Sequence, residues 1–186
     1  MTSTTTAVVT PYTADEVVSI GSGVTLSPRL AASSLSSNPA GSESATFRFV
    51  LSEVVDPMTA ATGWTPPFAP AVGNHWVLLK FSVTNVATSP GVNFGTRNGL
   101  FIDFEVEPEL TNGSGRMLYS SWTEDLHGWS ACSGGSVPSP GASSTVCQPF
   151  QVPASLHVKH VAVGFGFMTG SGAAPGQWLT GEWLLP

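Results

Sequence analysis

The sequence predicts an all-β protein: an antiparallel β-sandwich of about seven to nine short strands with an N-terminal extension. From Ala45 onward, apolar and polar residues alternate with a period of two. Turn signals rich in Gly, Pro and Asn separate the alternating segments. No segment keeps a 3.6-residue period for more than one turn, so the pattern favours strands throughout.

The clearest alternation lies in segments 47–51, 76–84 and 100–106. In the last of these, one face carries Leu100, Ile102, Phe104 and Val106, and the other carries Phe101, Asp103 and Glu105. Further strands are predicted at 116–122, 146–152, 157–168 and 177–184. Together these segments supply the strands of two sheets.

The chain of 186 residues is long enough for one domain with a full core. We expect residues 45–186 to form that domain. Residues 1–44 are rich in Ser and Thr, and we interpret them as an arm or leading strand with a linker. Short strands are expected there at 17–20 and 24–26.

The charge balance argues against a nucleic-acid partner. Charged residues make up 10% of the chain and the net charge is −6. A basic stripe is missing from the sequence, and with it the electrostatic attraction on which phosphate binding depends. Nowhere do 18 apolar residues run together, so no membrane span is expected.

The two cysteines, Cys132 and Cys147, flank a loop of Ser, Gly and Pro. The second lies in a strand-like run, and the pair predicts a disulfide that pins the loop to a sheet. Such a bond favours an extracellular or cell-surface location. The first ten residues contain no basic residue and no apolar run of signal-peptide length, so two alternatives stay open: synthesis without a signal, or removal of the signal.

Two groups of residues are candidates for metal binding. His157 and His160 are three apart, which puts them on one face of a helix but on opposite faces of a strand. The surrounding alternation predicts a strand, so we expect paired surface or half-buried histidines and no metal.

The acidic residues Asp103, Glu105, Glu107 and Glu109 are spaced by two and would line one face of a continuous strand. Such a line could hold Ca²⁺ or form an acid–base pair. The simpler interpretation is the solvated face of a strand, which we expect Pro108 to interrupt. We therefore expect no cofactor.

The sequence offers little support for catalysis. It has no Gly-x-Ser-x-Gly elbow, no Cys-x-x-Cys pair and no phosphate-binding glycine loop followed by Lys. We expect a protein that is not an enzyme. Trp122 and Trp129 are the aromatic residues most expected at the surface, as a possible carbohydrate or protein contact, whereas Trp76, Trp178 and Trp183 are expected in the core.

A series of motifs then follows in a set order along the chain. It comprises Leu51–Pro57, Gly73–Asn85, Asn98–Asp103, the two cysteines with Pro140-Gly141 between them, Phe150–Pro153, Val161–Phe167 and Gly176–Trp178. With this order, Phe47 to Trp183 resembles the telokin-like, immunoglobulin-like β-sandwich of actinobacterial secreted proteins and lipoproteins, which are related to mycobacterial immunogenic secreted antigens. The resemblance covers about three quarters of the chain and implies an immunoglobulin-like sandwich without enzymatic activity.

Two functions are consistent with these features. The first is a secreted or surface-exposed binding or adhesion module with a protein or carbohydrate partner. The second is a structural assembly protein, such as a virion decoration or filament subunit. In that role the N-terminal arm would add a strand to a neighbouring subunit.

Overall fold

The computed structural model describes residues 16–30, 43–58, 69–89, 100–108, 119–120, 138–169 and 172–186. Every regular element within these ranges is a β-strand, which confirms the all-β prediction. The strands belong to two sheets in which antiparallel pairing predominates.

The described residues form ten strands: β1 (Glu16–Ser19), β2 (Gly23–Leu26), β3 (Arg29–Leu30), β4 (Glu43–Val55), β5 (Asn74–Thr88), β6 (Leu100–Pro108), β7 (Tyr119–Ser120), β8 (Ser143–Pro153), β9 (Val158–Thr169) and β10 (Gly172–Leu184). The first sheet has the order β1-β10-β9-β6-β7. The second has the order β2-β4-β5-β8, with β3 paired to β4.

The two sheets pack against each other through apolar residues at alternate positions. In β5, Val77, Leu79, Phe81 and Val83 are fully buried. Contacts between aromatic rings link the sheets: Phe47 of β4 lies 5.1 Å from Phe165 of β9, and Phe81 lies 5.3 Å from Trp183 of β10, measured between ring centroids. The alternation seen in the sequence thus builds one shared core.

The first strands of the chain are shared between the sheets. β1 pairs with β10 in parallel, and β2 pairs with β4 in the antiparallel sense. Gly21, with φ of 85°, forms the turn between them, a conformation that favours glycine. The strands expected at 17–20 and 24–26 are present, and the expected domain boundary at residue 45 falls just inside β4.

The pairing of β5 with β8 is the most regular in the molecule as described. It continues through eleven residue pairs, from Asn74 opposite Pro153 to Thr84 opposite Ser143, without a register shift. The pairs β4–β5, β6–β9 and β9–β10 all contain at least one shift. β8 is therefore a long strand that pairs with β5 without a bulge, and it ends the strand order of its sheet.

Candidate functional site

The polar side chains at the start of β5 form a cluster around Asp56, which follows β4. One carboxylate oxygen, Oδ1, lies 2.6 Å from Nε2 of His75 and 3.4 Å from Nδ1 of His157. The other, Oδ2, accepts a hydrogen bond of 2.7 Å from the backbone N–H of Val158. The Asp56 side chain is only 10% exposed, so both oxygens are satisfied by protein donors in a largely dry setting.

This Asp56 cluster joins the two sheets. Asp56 directly follows β4 of the second sheet, and Val158 opens β9 in the first. The short corner from β8 to β9 crosses between the sheets, and Asp56 holds its end. The arrangement fits a structural anchor, because a carboxylate only accepts hydrogen bonds and each of its contacts here is with a nitrogen.

The cluster does not have the features of a metal centre. Within the described ranges, no group of three or more His, Cys, Asp and Glu residues could hold a metal ion. His75 Nε2 already hydrogen-bonds to the carboxylate, so the two groups bind each other. The rings of His75 and His157 are tilted by 47°, with centroids 6.2 Å apart.

His157 and His160 point to different carboxylates. His157 immediately precedes β9 and lies beside Asp56, whereas His160 lies within β9 with its Nδ1 3.7 Å from Oε1 of Glu182. The sequence spacing predicted this divergence. Their partners could not be predicted, because Asp56 lies 101 residues before His157 in the chain and Glu182 lies 22 residues after His160.

A second anchor lies at the other end of β5, where Asn85 is 2% exposed. Its Nδ2 donates a hydrogen bond of 2.9 Å to the carbonyl of Pro138, and its Oδ1 accepts one of 2.8 Å from the hydroxyl of Thr88. The backbone of Asn85 also donates to the carbonyl of Ala142 and accepts from the N–H of Gly141. One side chain therefore holds the turn that leads into β8.

Three residues of the acidic line, Asp103, Glu105 and Glu107, belong to β6. Asp103, Glu105 and Glu107 pair in register with Gly164, Ala162 and His160 of β9. The register shifts between Glu107 and Pro108, at the point where Pro108 was expected to interrupt the line. Glu109 lies outside the described residues, and the Ca²⁺ and acid–base hypotheses stay untested.

Cys147 lies in β8 opposite Lys80 and is fully buried. It alternates with the core residue Val146, so it belongs to the face of the second sheet that points away from the core. No described cysteine is a free thiol, which agrees with the expected bond. Cys132 lies outside the described residues, so the Cys132–Cys147 disulfide stays a prediction.

The tryptophans divide into three groups. Trp183 is fully buried in the core, as predicted, and its Nε1 donates a hydrogen bond of 3.1 Å to the carbonyl of Ser22. Trp76 is only half-buried, because it lies on the outward face of β5. Trp122 and Trp129, the proposed contact surface, lie outside the described residues, and the predicted core position of Trp178 is not tested because its side chain is not described.

The side of β8 that faces away from β5 carries a regular row of backbone groups. At one end of the strand, Asn85 N–H donates to Ala142 O, and at the other Ala154 N–H donates to Gly73 O. In an antiparallel ladder, residues alternate between bonding the partner and pointing away from it. Even-numbered residues of β8 therefore bond to β5, and the odd-numbered residues point their backbone groups away from it.

Pro149 and Pro153 fit this assignment, because both are odd-numbered and neither has an N–H that β5 would need. The remaining odd-numbered residues of β8 direct their N–H groups away from β5. Ser143 and Thr145 are exposed there, whereas Cys147 is fully buried. Among the described strands, only β5 is paired with β8. β7 of the first sheet comes near this edge without pairing to it.

Comparison with known proteins gives no relative. No family model matches the chain, and neither the curated proteins nor the solved structures contain a match. In the part of the chain that the structure describes, there is no helix long and apolar enough to cross a membrane.

Proposed function

We propose that this chain is a non-enzymatic, immunoglobulin-like module for binding or adhesion, located outside the cell or at its surface. The observation that carries the proposal is the start of the β8 edge, where Ser143 and Thr145 are exposed and direct their N–H groups away from β5 along an uncharged strand. Such an edge recognises an extended segment of a protein partner by adding it as a further strand. Main-chain bonds would supply affinity, and neighbouring side chains specificity.

The immunoglobulin-like and extracellular parts of the proposal come from the sequence. They follow from the resemblance of Phe47–Trp183 to the telokin-like family and from the predicted Cys132–Cys147 bond. The packing of two mainly antiparallel sheets around one core supports a sandwich architecture.

The proposal of a non-enzymatic role is supported by the use of the polar residues. Asp56 is largely buried and Asn85 is buried, and their polar atoms bond to neighbouring chain segments. Both side chains hold strand connections in place, and neither is exposed in the way that a group meeting a substrate must be.

A selection experiment tests the binding function. A displayed library of random peptides is selected on the wild-type chain and on Thr145→Pro, which removes one outward N–H and leaves the bonds to β5 intact. Thr145→Val is the matched control, because it keeps the N–H and the strand propensity. We expect uncharged, strand-forming peptides to be enriched on wild type and Thr145→Val only. Enrichment that is the same on all three proteins, or absent from all, would contradict the proposal.

A structural assembly protein is the second candidate. The composition of the N-terminal residues favours it: Thr2–Thr10 contains no charge, and seven of its nine residues are Thr or Val. These β-branched residues favour extended structure. In this case the partner would be another copy of the chain.

A further inference from the structure

The outer face of β2, β3 and β4 carries two arginines among hydroxyl side chains. β2 and β3 keep one register along β4, since Thr25 lies opposite Arg48 and Arg29 lies opposite Ser44. Leu26, the residue after Thr25, is buried in the core, so the side chains that alternate with it point outward. We call this surface the hydroxyl face, and its residues are Thr25, Ser27, Arg29, Ser44, Thr46 and Arg48.

The hydroxyl face is open, because Thr25, Ser27, Arg29 and Arg48 are all exposed. Within the described residues, neither of its arginines takes part in a hydrogen bond or an ion pair. Both lysines, by contrast, are engaged, one with a carboxylate at 2.7 Å and the other with a carbonyl at 2.9 Å. Although the chain has a net charge of −6, this one face therefore offers two guanidinium groups to an anion.

Gly23 gives the Arg48 guanidinium its position. A Cβ atom at residue 23 would lie 2.5 Å from Cζ and 2.6 Å from Nε of Arg48, closer than atoms in contact can come. The guanidinium thus lies against the backbone of β2, in space that only glycine leaves open. Arginine gives up rotamer freedom when it binds a ligand, and this packing has removed part of that freedom beforehand.

The hydroxyl groups between the two arginines form pairs. Ser27 Oγ donates a hydrogen bond of 3.0 Å to Thr46 Oγ1, and the hydroxyls of Ser44 and Ser89 are 3.1 Å apart. Each hydroxyl has one donor and two acceptor sites, so a pair keeps sites that a ligand can use. The hydroxyl face has no aromatic or aliphatic residue, whereas protein partners bind chiefly through such residues. It therefore suits a ligand that is rich in hydroxyl and anionic groups.

We propose that the hydroxyl face binds an acidic polysaccharide. The carboxylates pair with Arg29 and Arg48 through the two parallel hydrogen bonds that a guanidinium offers, and the sugar hydroxyls bond to the Ser and Thr side chains. Arg29 lies opposite Ser44, four residues along β4 from Arg48, and at about 3.4 Å per residue the two arginines are about 14 Å apart. A small anion cannot reach both, whereas a polymer with carboxylates at intervals can.

This site is distinct from the peptide-binding edge of the proposed function. β5 separates β4 from β8 in the second sheet, and neither arginine belongs to β8. The inference therefore goes beyond the proposed function and does not depend on it.

The test measures binding to immobilised polygalacturonate in calcium-free buffer of about 0.1 M ionic strength, where charges more than about 10 Å apart are screened. Its methyl ester, which lacks the charges, and polyglutamate, which carries them on a peptide, are measured in parallel. The variants are Arg29→Ala, Arg48→Ala, Arg48→Lys and Gly23→Ala. Lys159→Ala is the matched control, because it removes one positive charge from the other sheet. Urea unfolding checks that every variant keeps the wild-type fold.

We expect wild type to bind polygalacturonate, not to bind the ester, and to bind polyglutamate at least about tenfold more weakly, since polyglutamate offers no hydroxyls. Each arginine-to-alanine variant should bind polygalacturonate at least about fivefold more weakly, because one charge-assisted pair is lost. Arg48→Lys should lose about threefold, because lysine keeps the charge but not the planar fork. Gly23→Ala should also weaken binding, because its Cβ displaces the guanidinium. Lys159→Ala should stay within about 1.5-fold of wild type.

Three results would overturn the inference: no binding of wild type to polygalacturonate, equal binding of the ester, or equal losses in Lys159→Ala and Arg48→Ala. Polyglutamate that binds as tightly as polygalacturonate would also overturn it, and would assign the hydroxyl face to acidic peptides. None of these results bears on the peptide selection that depends on Thr145, so failure of this inference and failure of the proposed function are distinguishable.

Discussion

The two ends of β5 are anchored in chemically opposite ways. At its start, the carboxylate of Asp56 meets three nitrogens, those of His75, His157 and the Val158 backbone. Near its end, the amide of Asn85 meets one acceptor, Pro138 O, and one donor, the Thr88 hydroxyl. An acceptor-only group suits a site surrounded by donors, and an amide suits a mixed one. The chemical type of each anchor therefore follows from the donors and acceptors around it. Exchanging the two types should lower the stability of the fold at both ends of β5.

Replacing Asp56 with Ala should cause the largest loss of stability. It leaves the Val158 N–H and the His75 ring without their charged partner in a mostly buried place, and we expect a loss of about 3 kcal/mol. Asp56→Asn should lose roughly half as much, since one carboxylate oxygen becomes an NH₂ group that faces donors. Urea unfolding of the three proteins measures both values. An Asn variant as stable as wild type would show that the anchor does not need an acceptor at both positions.

Replacing both Cys132 and Cys147 with Ser tests the Asn85 end of β5, because Asn85 holds Pro138 and Gly141, which lie in the loop between the two cysteines. The chain-entropy model gives about 3 kcal/mol for a bond closing a loop of this length. The melting temperature should fall under oxidising conditions only, and reductant should lower wild type to the level of the variant. Equal melting temperatures of wild type and variant in oxidising buffer would show that the disulfide does not form. In the serine variant, Asn85→Ala should cost more than in wild type, since it removes the second restraint on the loop.

Asn85→Ala alone should destabilise the chain by about 2 kcal/mol, because it leaves the buried Pro138 carbonyl without a donor. Asn85→Asp should cost at least as much, since it directs a carboxylate at that carbonyl. Thr88→Val is the matched control: it removes only the bond to Oδ1 and should cost about 1 kcal/mol. Denaturant unfolding gives all three values. An Asn85→Asp variant as stable as wild type would show that this anchor does not need an amide, so that the two anchors do not differ in chemical type.

His157→Ala should have the smallest effect, below about 0.5 kcal/mol. Its side chain is 65% exposed and its Nδ1 is 3.4 Å from Asp56, whereas His75 is 16% exposed and 2.6 Å away. His75→Ala should therefore be clearly more destabilising in the same unfolding measurement. If the two alanine variants lose equal stability, the Asp56 cluster acts through both rings and not mainly through His75.

The strands were predictable from the sequence, and the anchors were not. Alternation in 47–51, 76–84 and 100–106 placed β4, β5 and β6, because a strand with one buried face repeats every two residues. Asp56 showed only as the end of a strand, since its partners are 19 and 102 residues away along the chain. The same limit applies to Trp76. It shares a strand with the core residues, but its position in the alternation directs it to the other face.

The unpaired side of β8 could not be predicted without the strand order of the sheet. Ser143–Pro153 looks like any other strand in the sequence, and only its place after β5 leaves one side unpaired among the described strands. Which backbone groups point outward then depends on the bonds at Ala142 and Ala154, which no sequence pattern specifies.

The parallel pairing of β1 with β10 has a mechanical consequence. Tension on the chain before β1 and after β10 pulls these neighbouring strands in opposite directions along their length. The four register pairs from Glu16–Gly181 to Ser19–Leu184 are then loaded in shear. Their hydrogen bonds resist the force together and do not break one after another. An adhesive or assembled subunit held by its two ends would thus carry load through its first and last strands before its core was disturbed.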